Sequence, residues 1–497
     1  RPPRSTLFPY TTLFRSGDYI DDYESLDLLP DVFTSRIPAS TQTELQNALA
    51  NVVAYETQTQ PAADWFNRVL FAAVDTFNER DHGDTSGIPE GECYGEFLSG
   101  GIFSDRETVK LYETGTYTHD DTATAVNVVG RYTPGNGFMA FHCHGAPDCF
   151  ALVDGCFGPL HAGVLQNGYK LPLTFGFACS TAAFDNELPD WPYGSSAESM
   201  PEAMLLNPDG GAIGFVGATR VALASGYSHA DYRAMSGAVE YHYFKSYDEG
   251  MRTPGMMHAA AGLGYIRHVG INGYYDFYTV AQYAQFGDPS VSIGGVRTEP
   301  ALKVVTRHTD DLSGDPDGCV EPGESFQLSV AVLNTGGPAA DVTAVLSSED
   351  PDAVVVQGTR HLGDIGRLAR METAEPFEVS IDGGAATGRA IRFSLEYFSG
   401  GTSLGSEPVD VFIGSGPWLV LDDWDLVYDS YKNGNVDPGD QVYASLFVQN
   451  NGCRPADNMV ITVGSASPWL DRCATNNGGA LGSLPAGYCR ETGWAMV

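Results

Sequence analysis

Short unbroken apolar runs alternate with segments of helical period up to about residue 297. Arg68–Val74 reads RVLFAAV, Gly137–Phe141 reads GFMAF, Leu173–Ala178 reads LTFGFA and Ala212–Val216 reads AIGFV. Runs of this kind, bounded by turn residues, predict strands buried on both faces, as in a parallel sheet. Glu107–Tyr112 and Pro30–Arg36 (PDVFTSR) are two further predicted strands. Thr41–Thr57 carries Leu45, Leu49, Val52 and Val53 at helical spacing behind Ser40 or Thr41, either of which can cap a helix. Ser196–Leu206, Ala234–Tyr247 and Met256–Arg267 are also predicted helices. Strands and helices in alternation indicate an α/β sandwich around a mostly parallel sheet.

From about Pro300 the period changes to two. Glu324–Leu333 (ESFQLSVAVL) alternates polar and apolar positions, and turn residues separate short strands. Val320-Glu321-Pro322-Gly323-Glu324 is answered by Val436-Asp437-Pro438-Gly439-Asp440, and Asn334-Thr335-Gly336 by Asn450-Asn451-Gly452. Both pairs are offset by 116 residues, the length of one immunoglobulin-like sandwich. Two tandem immunoglobulin-like β-sandwiches are therefore expected, over 300–415 and 416–497, the second lacking its last strands.

The bulk composition narrows the function. The formal charge is −36, which argues against nucleic-acid binding, since that relies on basic surface. No apolar run reaches the roughly 18 residues of a membrane helix. Nine cysteines are scattered without a CxxC pair, which disfavours zinc and thioredoxin chemistry and fits an oxidising compartment with a few disulfides. Cys143 and Cys149 could close a short loop, be free, or pair elsewhere. Leu7–Ser16 (LFPYTTLFRS) reads as the translation of a common sequencing adapter, so residues 1–16 are expected to be foreign to the fold.

Two strands end in reactive residues. Gly137–Phe141 runs on into His142-Cys143-His144-Gly145, and Leu173–Ala178 into Cys179-Ser180. Ligands of a parallel sheet sit beyond the carboxyl ends of its strands, where His144 and Cys179 would meet. A thiolate is the nucleophile, and an imidazole takes its proton and returns it to a leaving amine. Gly145, without a Cβ, lets its N–H approach a substrate carbonyl and form an oxyanion hole with the N–H of Cys179. His142 is the alternative base. Two residues away on a strand it would face the same way, but the glycine after His144 favours His144 and leaves His142 as a neighbour with a structural hydrogen bond. Gly210–Gly217 lacks the Gly-Lys-Ser/Thr of a phosphate loop and reads as a turn and close-packed strand. Asp315–Glu324 and Asp429–Asp440 are acidic turns, candidates for structural calcium without the spacing of an EF-hand.

A hydrophobic block ending in His-Gly and a second ending in Ala-Cys resemble the caspase–legumain–gingipain superfamily. Leu29-Pro30-Asp31-Val32 with Arg36, Ala54-Tyr55-Glu56, Gly210-Gly211-Ala212-Ile213 with Gly217-Ala218-Thr219-Arg220, and Phe286-Gly287-Asp288-Pro289-Ser290 resemble gingipain stretches in the same order. The resemblance covers residues 18–297 and, more loosely, the β-sandwiches. It implies a caspase-like αβα sandwich, with 17–67 the tail of a first α/β subdomain and 68–297 the catalytic one. It implies a secreted bacterial cysteine endopeptidase acting on proteins or peptides, with catalytic His144 and Cys179 and no cofactor needed for the chemistry. It also implies an acidic residue near the catalytic His, for which Glu79 and Asp84 are the candidates. The rival expectations are a non-catalytic surface adhesin or scaffold whose immunoglobulin-like domains bind cell surfaces or other proteins, and a peptidase confined to autoprocessing.

Overall fold

The computed structural model describes residues 28, 30, 32–77, 87–186, 198–224, 234–314, 317–429, 442–462, 474–475, 480–484, 486 and 489–496. It divides into two units, one of residues 1–295 with 427–440 and the other of residues 296–426 with 441–497. Residues 1–16 and Asp437-Pro438-Gly439-Asp440 of the repeat lie outside the described residues, as do Glu79 and Asp84.

The first unit is built on β1 (Arg68–Ala73), β2 (Glu107–Tyr112), β3 (Asp121–Thr122) and β4 (Phe138–His142). A small hairpin sheet follows, β5 (Gly145–Ala146), β6 (Cys149–Leu152) and β7 (Gly155–Phe157). Then come β8 (Leu173–Phe177), β9 (Gly214–Ala218) and β10 (Tyr283–Gly287). The main sheet has the order β10-β9-β8-β4-β1-β2-β3. It is parallel throughout except for β10, which runs antiparallel to β9. The unit is thus a mixed α/β fold with a largely parallel sheet, as the apolar runs predict.

The reason is visible along β1. Val69, Phe71 and Ala73 enter one core with Tyr94, Tyr243, Phe244 and Tyr265. Leu70 and Ala72 enter a second core with Val128, Tyr132, Met200 and Met204. Successive side chains of a strand point to opposite faces, so a strand apolar at every position needs a helical layer on each side. The helices Glu90–Gly100, Met235–Asp248 and Pro254–His268 supply the first layer, and Ala125–Tyr132 and Met200–Leu205 the second.

Several expectations need correction. Among the described residues of Pro30–Arg36 only Arg36 forms a bridge, to Phe286, and Val32 and Phe33 are exposed, so the expected strand is not seen there. The helix Gln42–Gln58 forms with a Thr41–Glu44 capping box, but of its stripe only Val52 packs against the core. Leu45, Leu49 and Val53 are 41%, 44% and 61% exposed, while Ala48 and Tyr55 pack inward. Glu90–Gly100, with three glycines, and the helix Tyr274–Gln282 gave no periodic signal to read.

The second unit is antiparallel β structure. One sheet joins β11 (Leu302–Asp311), β12 (Ser325–Asn334), β14 (Ala353–Gln357), β16 (Arg370–Glu372) and β17 (Phe377–Ile381). The other joins β13 (Ala339–Ser348), β15 (Thr359–Ile365), β18 (Arg389–Ser399) and β19 (Thr402–Ile413). The alternating residues Phe326, Leu328, Val330 and Val332 of β12 share one core with Ile391, Phe393 and Leu395 of β18. Further on, β20 (Leu419–Asp429) pairs with β21 (Val442–Asn450), and β22 (Ala456–Val460), β23 (Ala474–Thr475), β24 (Ala480–Leu484) and β25 (Cys489–Met496) follow. Asn334 and Asn450 play matching parts. Asn334 Oδ1 accepts from the Ala301 and Gly336 N–H groups, and its Nδ2 donates to Gly337 and Ile365 carbonyls. Asn450 Oδ1 accepts from Trp418 and Gly452, and its Nδ2 donates to Arg454 and Leu484.

Among the described residues the disulfides are Cys149–Cys156 and Cys319–Cys453. Cys149 therefore staples the β6–β7 hairpin rather than pairing with Cys143, which is a buried free thiol. The described residues contain no cluster of three or more His, Cys, Asp or Glu able to hold a metal. Asp317 of the first acidic turn instead pairs with Arg454.

Candidate active site

In the register of the sheet, Ala73, His142 and Phe177 lie side by side at the carboxyl ends of β1, β4 and β8. The ladder runs a little further, with Val74 N–H donating to His142 O at 3.1 Å and Cys143 N–H to Phe177 O at 3.3 Å. Thr76, His144 and Cys179 follow three, two and two residues beyond that line. Strand order reverses between β1 and β4, so the three chain ends diverge and leave a crevice above the sheet. A cavity of about 240 Å³ lies there, lined among others by Thr76, Glu90, Tyr94, His142, His144, Phe177, Cys179 and Ala222.

His144 is exposed, and its Nε2–H donates to the carbonyl of Thr76 at 2.6 Å. The Phe77 ring stands edge-on to it. A neutral imidazole holding its proton on Nε2 carries its basic lone pair on Nδ1. Thr76 thus fixes the tautomer of a candidate base; Glu79 and Asp84, the expected acidic partners, lie outside the described residues. Glu90, at the start of its helix, is a carboxylate in the cavity wall that the sequence reading missed. Its Oε2 accepts from Phe77 N–H and Thr76 Oγ1 at 3.3 and 3.4 Å.

Cys179 Sγ donates to Ala222 O at 3.7 Å, and burial pushes its thiol up from the ordinary value. The chain turns sharply behind it. Ser180 has φ 57°, a left-handed conformation that costs a non-glycine residue about 1–2 kcal/mol. The turn is held from the neighbouring strand end: Ser180 N–H donates to Arg220 O at 2.7 Å, and the Arg220 guanidinium clasps Asp185 at 2.8 and 3.1 Å. Arg220 is the last residue of the Gly217-Ala218-Thr219-Arg220 motif.

Gly145 joins the two strand ends. A Cβ there would fall 2.7 Å from Thr181 Cγ2, 2.8 Å from Ala178 Cβ and 2.8 Å from Cys179 O. Only glycine lets the loop after His144 lie this close to Cys179. Gly145 faces Phe150 in a pair whose ladder bond runs from Ala151 N–H to His144 O at 2.9 Å. In such a pair the Gly145 N–H lies outside the ladder.

His142, expected as a neighbour of the base with a structural hydrogen bond, makes such a bond. It does not share the exposure of His144 but is buried, stacked against Phe71 and flanked by Tyr94 and Phe177. Its Nε2 meets both oxygens of Glu240 at 2.9 and 3.0 Å. Glu240 lies 98 residues away on the helix Met235–Asp248, a pairing that no local pattern carries.

The model of peptidase family C25 matches residues 6–294, starting inside the adapter-like segment. Over 159 residues the chain is 27% identical to Lys-gingipain W83 of Porphyromonas gingivalis, covering 32% of this chain and 8% of that protein. Over 222 residues it is 27% identical to an uncharacterised protein of Archaeoglobus fulgidus, covering 43% and 50% respectively. The chain spans half or less of the length of these relatives. Among solved structures it is similar to the Arg-specific cysteine proteinase gingipain R, at 16% identity and a TM-score of 0.43 over 78% of this chain and 76% of that one. It is also similar to the complex of the pro- and mature domains of a Porphyromonas gingivalis gingipain, at 15% identity and a TM-score of 0.42 over 78% of each chain. With well over half its length matched by the family model, the chain belongs to peptidase family C25, the gingipain-type cysteine peptidases.

Proposed function

We propose that this chain is a secreted endopeptidase that cleaves peptide bonds through a thioester on Cys179, with His144 as general acid and base. One observation carries the proposal: His144 and Cys179 line one cavity at the ends of adjacent parallel strands, with Gly145 packed against the Cys179 carbonyl. His144 Nδ1 takes the thiol proton, and Sγ attacks the substrate carbonyl carbon. The oxyanion is met by the N–H groups of Gly145 and Cys179. The imidazolium returns its proton to the leaving amine, and the C–N bond breaks. Water then attacks the thioester with His144 as base, releasing the acid and restoring the thiol. No step calls for a metal or an organic cofactor. Glu79 and Asp84 remain the candidates for the acidic partner of His144, and the Glu90 carboxyl lines the same cavity wall.

The disulfides support an extracellular setting, where such bonds persist. The shared core of the two antiparallel sheets and the matching roles of Asn334 and Asn450 support tandem immunoglobulin-like domains over 300–415 and 416–497. These domains are surfaces for other proteins or for a cell envelope. The test is a library of internally quenched peptides offered to the full chain and to its Cys179→Ala variant. Cleavage by the first alone supports the reading. Equal cleavage by both, or by neither, removes it and leaves the scaffold role.

A further inference from the structure

Below the catalytic residues lies a second imidazole that peptide-bond chemistry does not use. His142 and Glu240 are each 1% exposed. The Nε2 of His142 faces both carboxylate oxygens of Glu240, so it carries the proton. A neutral imidazole protonated there presents an unprotonated Nδ1. That Nδ1 is buried and has no hydrogen-bond partner. Buried polar atoms are almost always paired, and one left alone is costly. His142 also lines the cavity beside Cys179, whose remaining lining is largely apolar: Tyr94, Phe177, Val221 and Ala222. A largely apolar cavity whose buried acceptors are His142 Nδ1 and the Glu90 carboxyl suits a side chain with an apolar stem and a donor at its tip.

We propose that His142, oriented by Glu240, determines specificity at this pocket by accepting a hydrogen bond from the N–H or O–H at the tip of the P1 side chain. P1 is the residue whose carbonyl is attacked, and its side chain, one carbon from that carbonyl, is the one that reaches a cavity opening beside Sγ. Glu240 does not touch substrate; it holds the imidazole in the accepting tautomer. This rests on the peptidase reading above.

The test uses the full chain and paired fluorogenic peptides that differ only at P1: glutamine against methionine, and lysine against norleucine. Each pair is similar in length and differs in the donor. The expected kcat/KM ratio favours the donor by at least about tenfold, because a buried acceptor is left unpaired by the analogue. In the double variant His142→Phe/Glu240→Leu, which replaces both polar groups with apolar ones, both ratios fall to within about twofold of one while norleucine and methionine peptides are still cut. Glu240→Gln, whose amide tolerates either tautomer, lowers the ratios with little change in cleavage of the apolar partners. It decides the matter if the double variant does not fold. Ratios near one in the wild type, or ratios unchanged in whichever variant folds, overturn the proposal. Loss of all peptide cleavage by the wild type together with absence of thiol labelling at Cys179 overturns the peptidase reading instead.

Discussion

Burial sets the resting state of Cys179. The thiol lies above its ordinary value, so the protonated form is favoured at neutral pH and a base must take the proton during the reaction. The sign is testable by alkylation with iodoacetamide. In His144→Ala the rate at Cys179 should keep rising past the roughly 8.5 of an ordinary thiol, since only hydroxide then draws off the proton. A midpoint below that value would mean that another group activates the thiol. In peptide cleavage, His144→Ala and Cys179→Ala should each lower kcat/KM by roughly 10³-fold or more, because members of one catalytic unit fail together. That His144 and Cys179 come together at one cavity was legible in the sequence, because each follows an apolar strand and stands next to a telling neighbour, Gly145 or Ala178. Thr76, Glu90 and the His142–Glu240 contact were not, because they depend on which strand and helix ends the fold brings together. His142 shows the difference most clearly: the alternation of a strand gave it the direction of His144, yet β4 ends at His142 and the chain leaves the pleat there.

At the scale of elements, the site depends on two loops packed closer than a methyl group allows. Gly145→Ala should push the loop after β4 away from Thr181 and Ala178, at a stability cost of roughly 1–3 kcal/mol, as for other overpacked positions. The activity lost should exceed what that destabilisation explains, because the same shift moves the Gly145 N–H. Thermal melts and kcat/KM on the same sample check both halves, and full activity with an unshifted melt would contradict the packing. Strands were easier to read than helices. A strand buried on both faces is apolar at every position and needs no period. The helices facing it are another matter. Glu90–Gly100 is buried along Glu90, Gly91, Glu92, Tyr94 and Gly95 because Gly91 presses on the carbonyls of Val74 and His142. Close backbone approach at Gly91, together with Tyr94 and Leu98 in the core, places that helix. The helix Gln42–Gln58 is the converse: Leu45, Leu49 and Val53 of its stripe face outward while Val52 packs inward and Tyr55 anchors it through Gly294 N–H at 3.0 Å.

Across the whole molecule, the second unit follows rules visible in its sequence: period-two alternation gives sheets, and Asn-x-Gly recurs where an asparagine ties a strand end to the preceding segment. The disulfide topology was hidden, since Cys319 and Cys453 are 134 residues apart and meet only through the fold. Closing so long a loop restricts the unfolded chain, so removing both cysteines as Cys319→Ser/Cys453→Ser should cost about 2–5 kcal/mol in the second unit. Differential scanning calorimetry should show one transition lowered, with peptide cleavage retained, because the bond lies entirely outside the unit that carries Cys179. A lost or lowered cleavage rate would show that the two units are coupled in function.

The central claim, that Cys179 is a nucleophile activated by His144, is tested most directly by peptide mapping of the full chain after reaction with a peptidyl acyloxymethyl ketone, which alkylates a thiolate held beside a bound substrate carbonyl. The account predicts one adduct, on Cys179, with Cys93 and Cys143 unmodified, and no adduct in His144→Ala at the same pH. An adduct on Cys143 in place of Cys179, or full labelling of Cys179 without His144, would contradict it.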